Sequence, residues 1–257
     1  MRGSKDCSKT IRKQSEILDQ VNRRLLEILF LVGVFFVGLI LYFSSPVMAG
    51  MKTGLAAYKI GDYETAFREF SRQASKGNPT AQSLLGTMYE AGMGVPRNHA
   101  EAFQWYIKAA VQGEANAQFM VGQMYYEGRG GPADWAEASR WYRLAAQQGY
   151  AYAQYNLGVM CEHGRGILRS IAEAIRWYTK AAEQGVDESQ CRLGEMYADG
   201  YGVAQDLAQA YMWLDLASAQ GNKRASSIKD QIALKMTPAQ IARSEESVRD
   251  WKKRRGR

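Results

Sequence analysis

Between Ala117 and Tyr152 the apolar positions follow a helical period. Ala117, Met120, Val121, Met124 and Tyr125 fall at i, i+3, i+4, i+7 and i+8, one apolar stripe that predicts an amphipathic helix. The pair Gly128 and Gly130 then ends it. Asp134, with Glu137 three residues on, reads as an N-cap with its capping box and opens a second helix. That helix carries Ala138, Trp141, Tyr142 and Ala145 on one face and stops at Gly149, which can take the left-handed C′ conformation. Gly122 sits inside the first helix, where glycine costs about 0.8–1.0 kcal/mol relative to alanine. Close approach of another helix explains it.

The same pattern returns every 36 residues without insertion, as the series Gly86, Gly122, Gly158 and Gly194 shows. In the same register stand Leu85, Val121, Leu157 and Leu193, then Gly92, Gly128, Gly164 and Gly200, and further on Trp105, Trp141, Trp177 and Trp213. The capping pair recurs as Asn98/Glu101, Ser170/Glu173 and Asp206/Gln209. A single helix pair cannot bury its own apolar face, so neighbours must stack. The expected fold is all-α: an α-α superhelical repeat solenoid of 36-residue helix-turn-helix units. The boundaries read from the pattern are a short first repeat at 50–80, full repeats at 81–116, 117–152, 153–188 and 189–224, capping helices at 225–251 and a basic tail at 252–257. Thr237-Pro238-Ala239-Gln240 supplies an N-cap, an N1 proline and a capping-box glutamine, with Ile241, Val248 and Trp251 near one face, which predicts a terminal lid.

The runs AQSLLGTMYEAGMGV and FQWYIKAAVQG resemble the Sel1-like repeat family, relatives of tetratricopeptide repeats. The resemblance covers roughly residues 50–225. It implies an adaptor or binding scaffold, a type found among bacterial envelope and secreted proteins. Departures from the pattern are Gly131 in the turn, Cys161 in a tyrosine position, Leu214 in place of the second aromatic and Ser218 in place of an alanine.

Residues 1–49 are of a different composition. Arg12, Lys13, Arg23 and Arg24 precede the uncharged run Ile28 to Phe43, and Val47-Met48-Ala49 follows. This reads as a signal peptide cut before Gly50 or as a retained signal anchor. As a helix the run would rise only about 24 Å against a hydrocarbon core of about 30 Å, so spanning recruits flanking residues. With the basic flank on its N-terminal side, either outcome predicts repeats outside the cytoplasm, periplasmic or secreted, the membrane being touched only through an uncleaved residue 28–43 segment.

The formal charge of +7 sits at the ends: +3 in residues 1–49 and +5 in the last six, with −1 for 50–251. Nucleic-acid binding by the array is therefore not expected, and the basic tail reads as a solvated, frayed terminus. His99 and His163 fall at turn positions of different repeats, so neither a metal site nor a catalytic histidine is expected. Ser226-Ser227-Ile228-Lys229 and Lys52-Thr53-Gly54 match fragments of a serine β-lactamase signature but stand in the wrong order and lack the S-D-N element. No cofactor is expected. Cys161 and Cys191 are expected as free thiols, because six residues of offset between parallel first helices carry their Cα atoms beyond disulfide reach.

By analogy with tetratricopeptide repeats the first helix of each unit lines the concave face. Its outward positions give Phe119, Tyr126, Tyr152 and Tyr155 as an aromatic centre, ringed by Glu90, Glu127, Glu162, Glu188, Glu195 and Asp199. Such a surface would take a protein or peptide partner, a basic one by charge. The sequence thus predicts a non-enzymatic interaction scaffold outside the cytoplasm. A membrane-anchored regulator of an envelope enzyme complex, or a wall or β-lactam hydrolase, is the alternative.

Overall fold

The computed structural model describes residues 46–256, and the 28–43 segment lies outside them, as does Cys7. The described residues form helices α1 (Pro46–Lys59), α2 (Tyr63–Ala74), α3 (Pro79–Ala91), α4 (His99–Ala110), α5 (Ala115–Glu127) and α6 (Trp135–Gln147). Then follow α7 (Ala151–His163), α8 (Ile171–Glu183), α9 (Asp187–Asp199), α10 (Leu207–Ser218), α11 (Lys223–Ala233) and α12 (Pro238–Arg254). Consecutive helices pack as hairpins, each stacked on the next, so the array has the order expected of it.

The local signals act as the sequence implies. Asn98, Asp134, Ser170 and Asp206 each accept hydrogen bonds from backbone N–H groups of the helix they open. The reciprocal arm differs from expectation: the full box forms at Thr237/Gln240, whereas Glu137 and Glu173 pair with Arg140 and Arg176 one turn on. Those pairs are exposed and worth little. Gly128 closes α5 at φ 71° and Gly149 follows α6 at φ 91°, the left-handed backbone that glycine adopts without a Cβ penalty.

Each hairpin is pinned where its mid-helix glycine meets the second helix. A Cβ on Gly158 would stand 2.7 Å from Cδ1 and Cε1 of Tyr178, and Gly86 and Gly122 meet Tyr106 and Tyr142 in the same way. In the last repeat Leu214 takes the aromatic's place against Gly194. All four partners are fully buried, so glycine marks a helix contact closer than any side chain permits.

Between hairpins runs a second, polar register. Gln82, Gln118, Gln154 and Gln190 are buried, and each Nε2 donates to a carbonyl of the preceding hairpin: Ala74, Ala110, Ala146 and Ala182, at 3.0–3.2 Å. Each Oε1 accepts from the glutamine 30 residues on, Gln112, Gln148, Gln184 or Gln220, at 2.7–2.8 Å. Every junction thus repeats one amide ladder, and the buried side chains leave no polar atom of the rung to the apolar core.

At the far end α12 packs on α10, burying Val248 and Trp251 against Met212, Trp213 and Trp177. This helix runs on to Arg254, into the span expected to fray. Arg255 donates to the Gln184 carbonyl at 3.0 Å and lies over the Trp251 ring, so the start of the basic tail is held on the array. At the near end the Ala49–Gly50 bond lies within α1. Among the described residues no helix is long and apolar enough to cross a membrane.

Candidate functional site

The first helices α3, α5, α7 and α9, with α11 after them, form one face, and two clefts open on it side by side. The first, of about 240 Å³ between α5 and α7, is lined by Gln123, Tyr126, Glu127, Tyr142, Tyr155, Asn156 and Val159. The second, of about 140 Å³ among α7, α9 and α11, is lined by Tyr155, Glu188, Cys191, Arg192, Glu195, Asn222 and Arg224. Tyr155 forms the wall between them. Its ring tilts on Tyr178 at 5.9 Å, and burial pushes its phenol above the ordinary value.

The expected aromatic centre divides. Tyr152 is 57% exposed, and Tyr126 and Tyr155 line the clefts. Phe119, expected to point outward, instead stacks on Tyr150 at 4.9 Å and tilts on Tyr142 at 5.7 Å. It belongs to the packing between hairpins. Tyr126 lies against Trp135 at 6.2 Å, and its hydroxyl accepts from Arg165 of the next turn.

The expected acidic rim is largely paired. Glu90 accepts from the Tyr106 hydroxyl at 2.9 Å and binds Arg129, which also reaches Glu127 at 2.6 Å. Glu162 is 5% exposed: Arg192 holds both its oxygens through Nε and Nη2, and the Tyr178 hydroxyl donates at 2.8 Å. Burial raises the Glu162 carboxyl, but the Arg192 and Tyr178 hydrogen bonds outweigh it and hold the group below the usual range. Arg192 bridges on to Glu195 at 2.7 Å, and Arg224 closes the row on Glu195 at 2.5 Å. Glu188 and Asp199 remain exposed, the former with its carboxyl pushed up by burial and by the neighbouring Asp187. The face is therefore mixed in charge rather than acidic, which removes the argument for a basic partner.

Arg129, Arg165, Arg192 and Arg224 are the residues that the sequence reading passed over. Their signal was the repeat itself, since Arg129 and Arg165 stand 39 residues after Glu90 and Tyr126, one period and nearly one turn away.

The remaining candidates fall apart in space. Lys52 to Gly54 lies in α1 and Ser226 to Lys229 in α11, where Lys229 is held by Asp215 at 2.9 Å. His163 ends α7, exposed, with Nδ1 against the Val159 carbonyl, whereas His99, expected at a turn, is half-buried as the first residue of α4. Among the described residues no group of His, Cys, Asp and Glu could hold a metal ion. Cys161 and Cys191 are free and buried in different core clusters, and burial pushes the Cys191 thiol up to about 11. A thiol so raised stays protonated and unreactive at neutral pH.

Stacked hairpins of this length, with a glycine contact inside and two clefts on the first-helix side, define an α-α repeat protein. The chain belongs to the Sel1 repeat family, whose repeat matches residues 79–114, 115–150, 151–186 and 187–222. Each match begins at the first residue of α3, α5, α7 or α9, two residues before the boundaries read from the pattern. The chain is similar to a Sel1 repeat protein from Oxalobacter formigenes at 37% identity, covering 69% of this chain and 73% of that one, with a TM-score of 0.65. It is also similar to a protective antigen of uropathogenic Escherichia coli strains with the same fold, at 32% identity and a TM-score of 0.71, covering 79% of this chain and 46% of that one. The chain thus matches about half the length of that antigen. No curated protein matches it.

Proposed function

We propose that this Sel1 repeat chain is a non-enzymatic scaffold that works outside the cytoplasm and holds a protein or peptide segment along its first-helix face. The pair of clefts divided by Tyr155 carries the reading: two pockets with aromatic and amide walls, beside exposed Tyr152, suit successive side chains of an extended segment. Repeat scaffolds present such surfaces because each unit adds one more helix to the same face. Export is supported by the basic residues ahead of the apolar run Ile28 to Phe43.

The reading is tested with a photo-crosslinking residue placed at Tyr152 and, as a control, at exposed Arg140 on a second helix. Adducts of one defined mass from position 152 and none from 140 support it. Equal labelling from both positions, or none from either, sinks the assignment of the face.

A further inference from the structure

The amide ladder needs a preceding hairpin at every rung, and among the described residues none precedes the first hairpin. Gly54 meets Phe70 of α2 as Gly86 meets Tyr106 of α4, with a built Cβ 2.6 Å from the ring in both. Counting back four residues from Gly86 reaches Gln82, and from Gly54 reaches Gly50. Gly50 therefore stands in the ladder position, with its side chain deleted. The space is taken from the other side: Gln73 of α2 reaches in so closely that a Cβ on Gly50 would fall inside its amide. At the corresponding place in the full repeats stand Ala109, Ala145, Ala181 and Ala217. Gln73 is fully buried, and among the described residues neither its Nε2 nor its Oε1 has a hydrogen-bond partner. A buried amide left so costs about 1–3 kcal/mol, so it calls for a group that the intact helix does not offer.

The sequence supplies one. Val47-Met48-Ala49 ahead of Gly50 is the small-residue pattern of a leader-peptidase site. We propose that the chain is cut after Ala49 and that the α-ammonium of Gly50 seats on the amide oxygen of Gln73. In the cut, water adds across the Ala49–Gly50 peptide bond: its oxygen goes to the Ala49 carbonyl carbon, the C–N bond breaks, and the released amine takes up protons as ammonium. A half-turn of the amide exchanges Oε1 for Nε2 at no cost in shape, bringing the acceptor to the amine. A Cβ on Gly50 would also stand 3.0 Å from Nη2 of Arg72, which holds the Glu69 carboxylate at 2.7 Å, so the ammonium takes its counter-charge from Glu69, one turn before Gln73 on α2, by displacing the exposed Arg72 guanidinium into solvent. The amide of Gln73 thus closes the ladder with a chain terminus where other rungs use a carbonyl, and α1 keeps residues 50–59 as its helix.

The inference rests on the export assigned under Proposed function, and one set of chains tests the two separately. The full-length protein is expressed in a bacterial host, fractionated, and sequenced from its N-terminus, beside Ala49→Phe, which blocks the cut. A start at Gly50 is expected. Intact protein in the cytosol would defeat both readings, whereas exported protein keeping residues 28–43 would defeat only this one. Gln73→Leu is then made in both backgrounds and unfolded with urea. In the cut chain it strips the ammonium of its acceptor and raises the unfolding constant roughly tenfold. In the uncut chain it replaces an orphaned amide by an apolar group and lowers that constant. A change of the same sign in both backgrounds overturns the seat on Gln73.

Discussion

Replacing Gly158 by alanine sets two effects of known size against each other. Alanine is favoured over glycine within a helix by about 1 kcal/mol, so propensity alone stabilises α7. The added Cβ stands 2.7 Å from two ring carbons of Tyr178, where an unstrained contact needs about 3.5 Å or more, so the ring must withdraw by nearly 1 Å. It has nowhere to go. Tyr178 is fully buried, Tyr155 lies 5.9 Å away on its ring, and its hydroxyl is tied to Glu162 at 2.8 Å. Overpacking of this kind costs about 1–3 kcal/mol, and stretching a hydrogen bond to a buried carboxylate adds about 1.5 kcal/mol. The net expectation for Gly158→Ala is a loss of roughly 2 kcal/mol. Gly131→Ala is the control, since nothing lies within 4 Å of its Cβ position. Urea unfolding followed by circular dichroism and tryptophan fluorescence reads both variants, with coincident curves required before a midpoint is interpreted. A Gly158→Ala chain as stable as the parent, or more stable, would refute the reading of the glycine as a forced helix contact.

Gln154→Ala removes a rung, taking the side-chain donor from the Ala146 carbonyl and leaving the Gln184 amide only its bond to the Gly149 carbonyl. It should cost about 1–3 kcal/mol by urea unfolding, well above the loss from the exposed Gln147→Ala. Glu162 has a folded pKa below its unfolded value near 4.3, so its stabilisation is present above that pH and drains away as pH falls through the folded value. Glu162→Gln should flatten the acid side of a stability–pH profile measured from pH 7 to 3, and an unchanged slope would remove Glu162 from that role.

The fold was legible because its signals are local and repeated. One Gly122 in a helix is ambiguous, but four in register with four buried partners, Tyr106, Tyr142, Tyr178 and Leu214, state a contact. The face was less legible, for two physical reasons. Phe119 stands in a position that varies between repeats as Ser83, Phe119, Tyr155 and Cys191, and variation there reflects differing neighbours rather than exposure. Ser83 takes a hydrogen bond from Asn116, while Phe119 stacks on Tyr150. Glu90 and Glu162 looked free because the arginines that cover them, Arg129 and Arg192, lie in the next unit. A helical wheel drawn on α7 cannot show that Arg192, 30 residues on, will cover Glu162.

The glutamine ladder makes the array indifferent to its own length. Because each rung joins a unit to its predecessor through the same glutamine-to-carbonyl bond, a segment of 36 residues cut out or duplicated between equivalent points leaves every surviving junction with its donor and acceptor. What such an edit alters is the sequence of side chains that vary from unit to unit on the first-helix face. Lengthening by duplication is thus a route by which a chain of this kind can acquire a new surface while its internal joints stay the same.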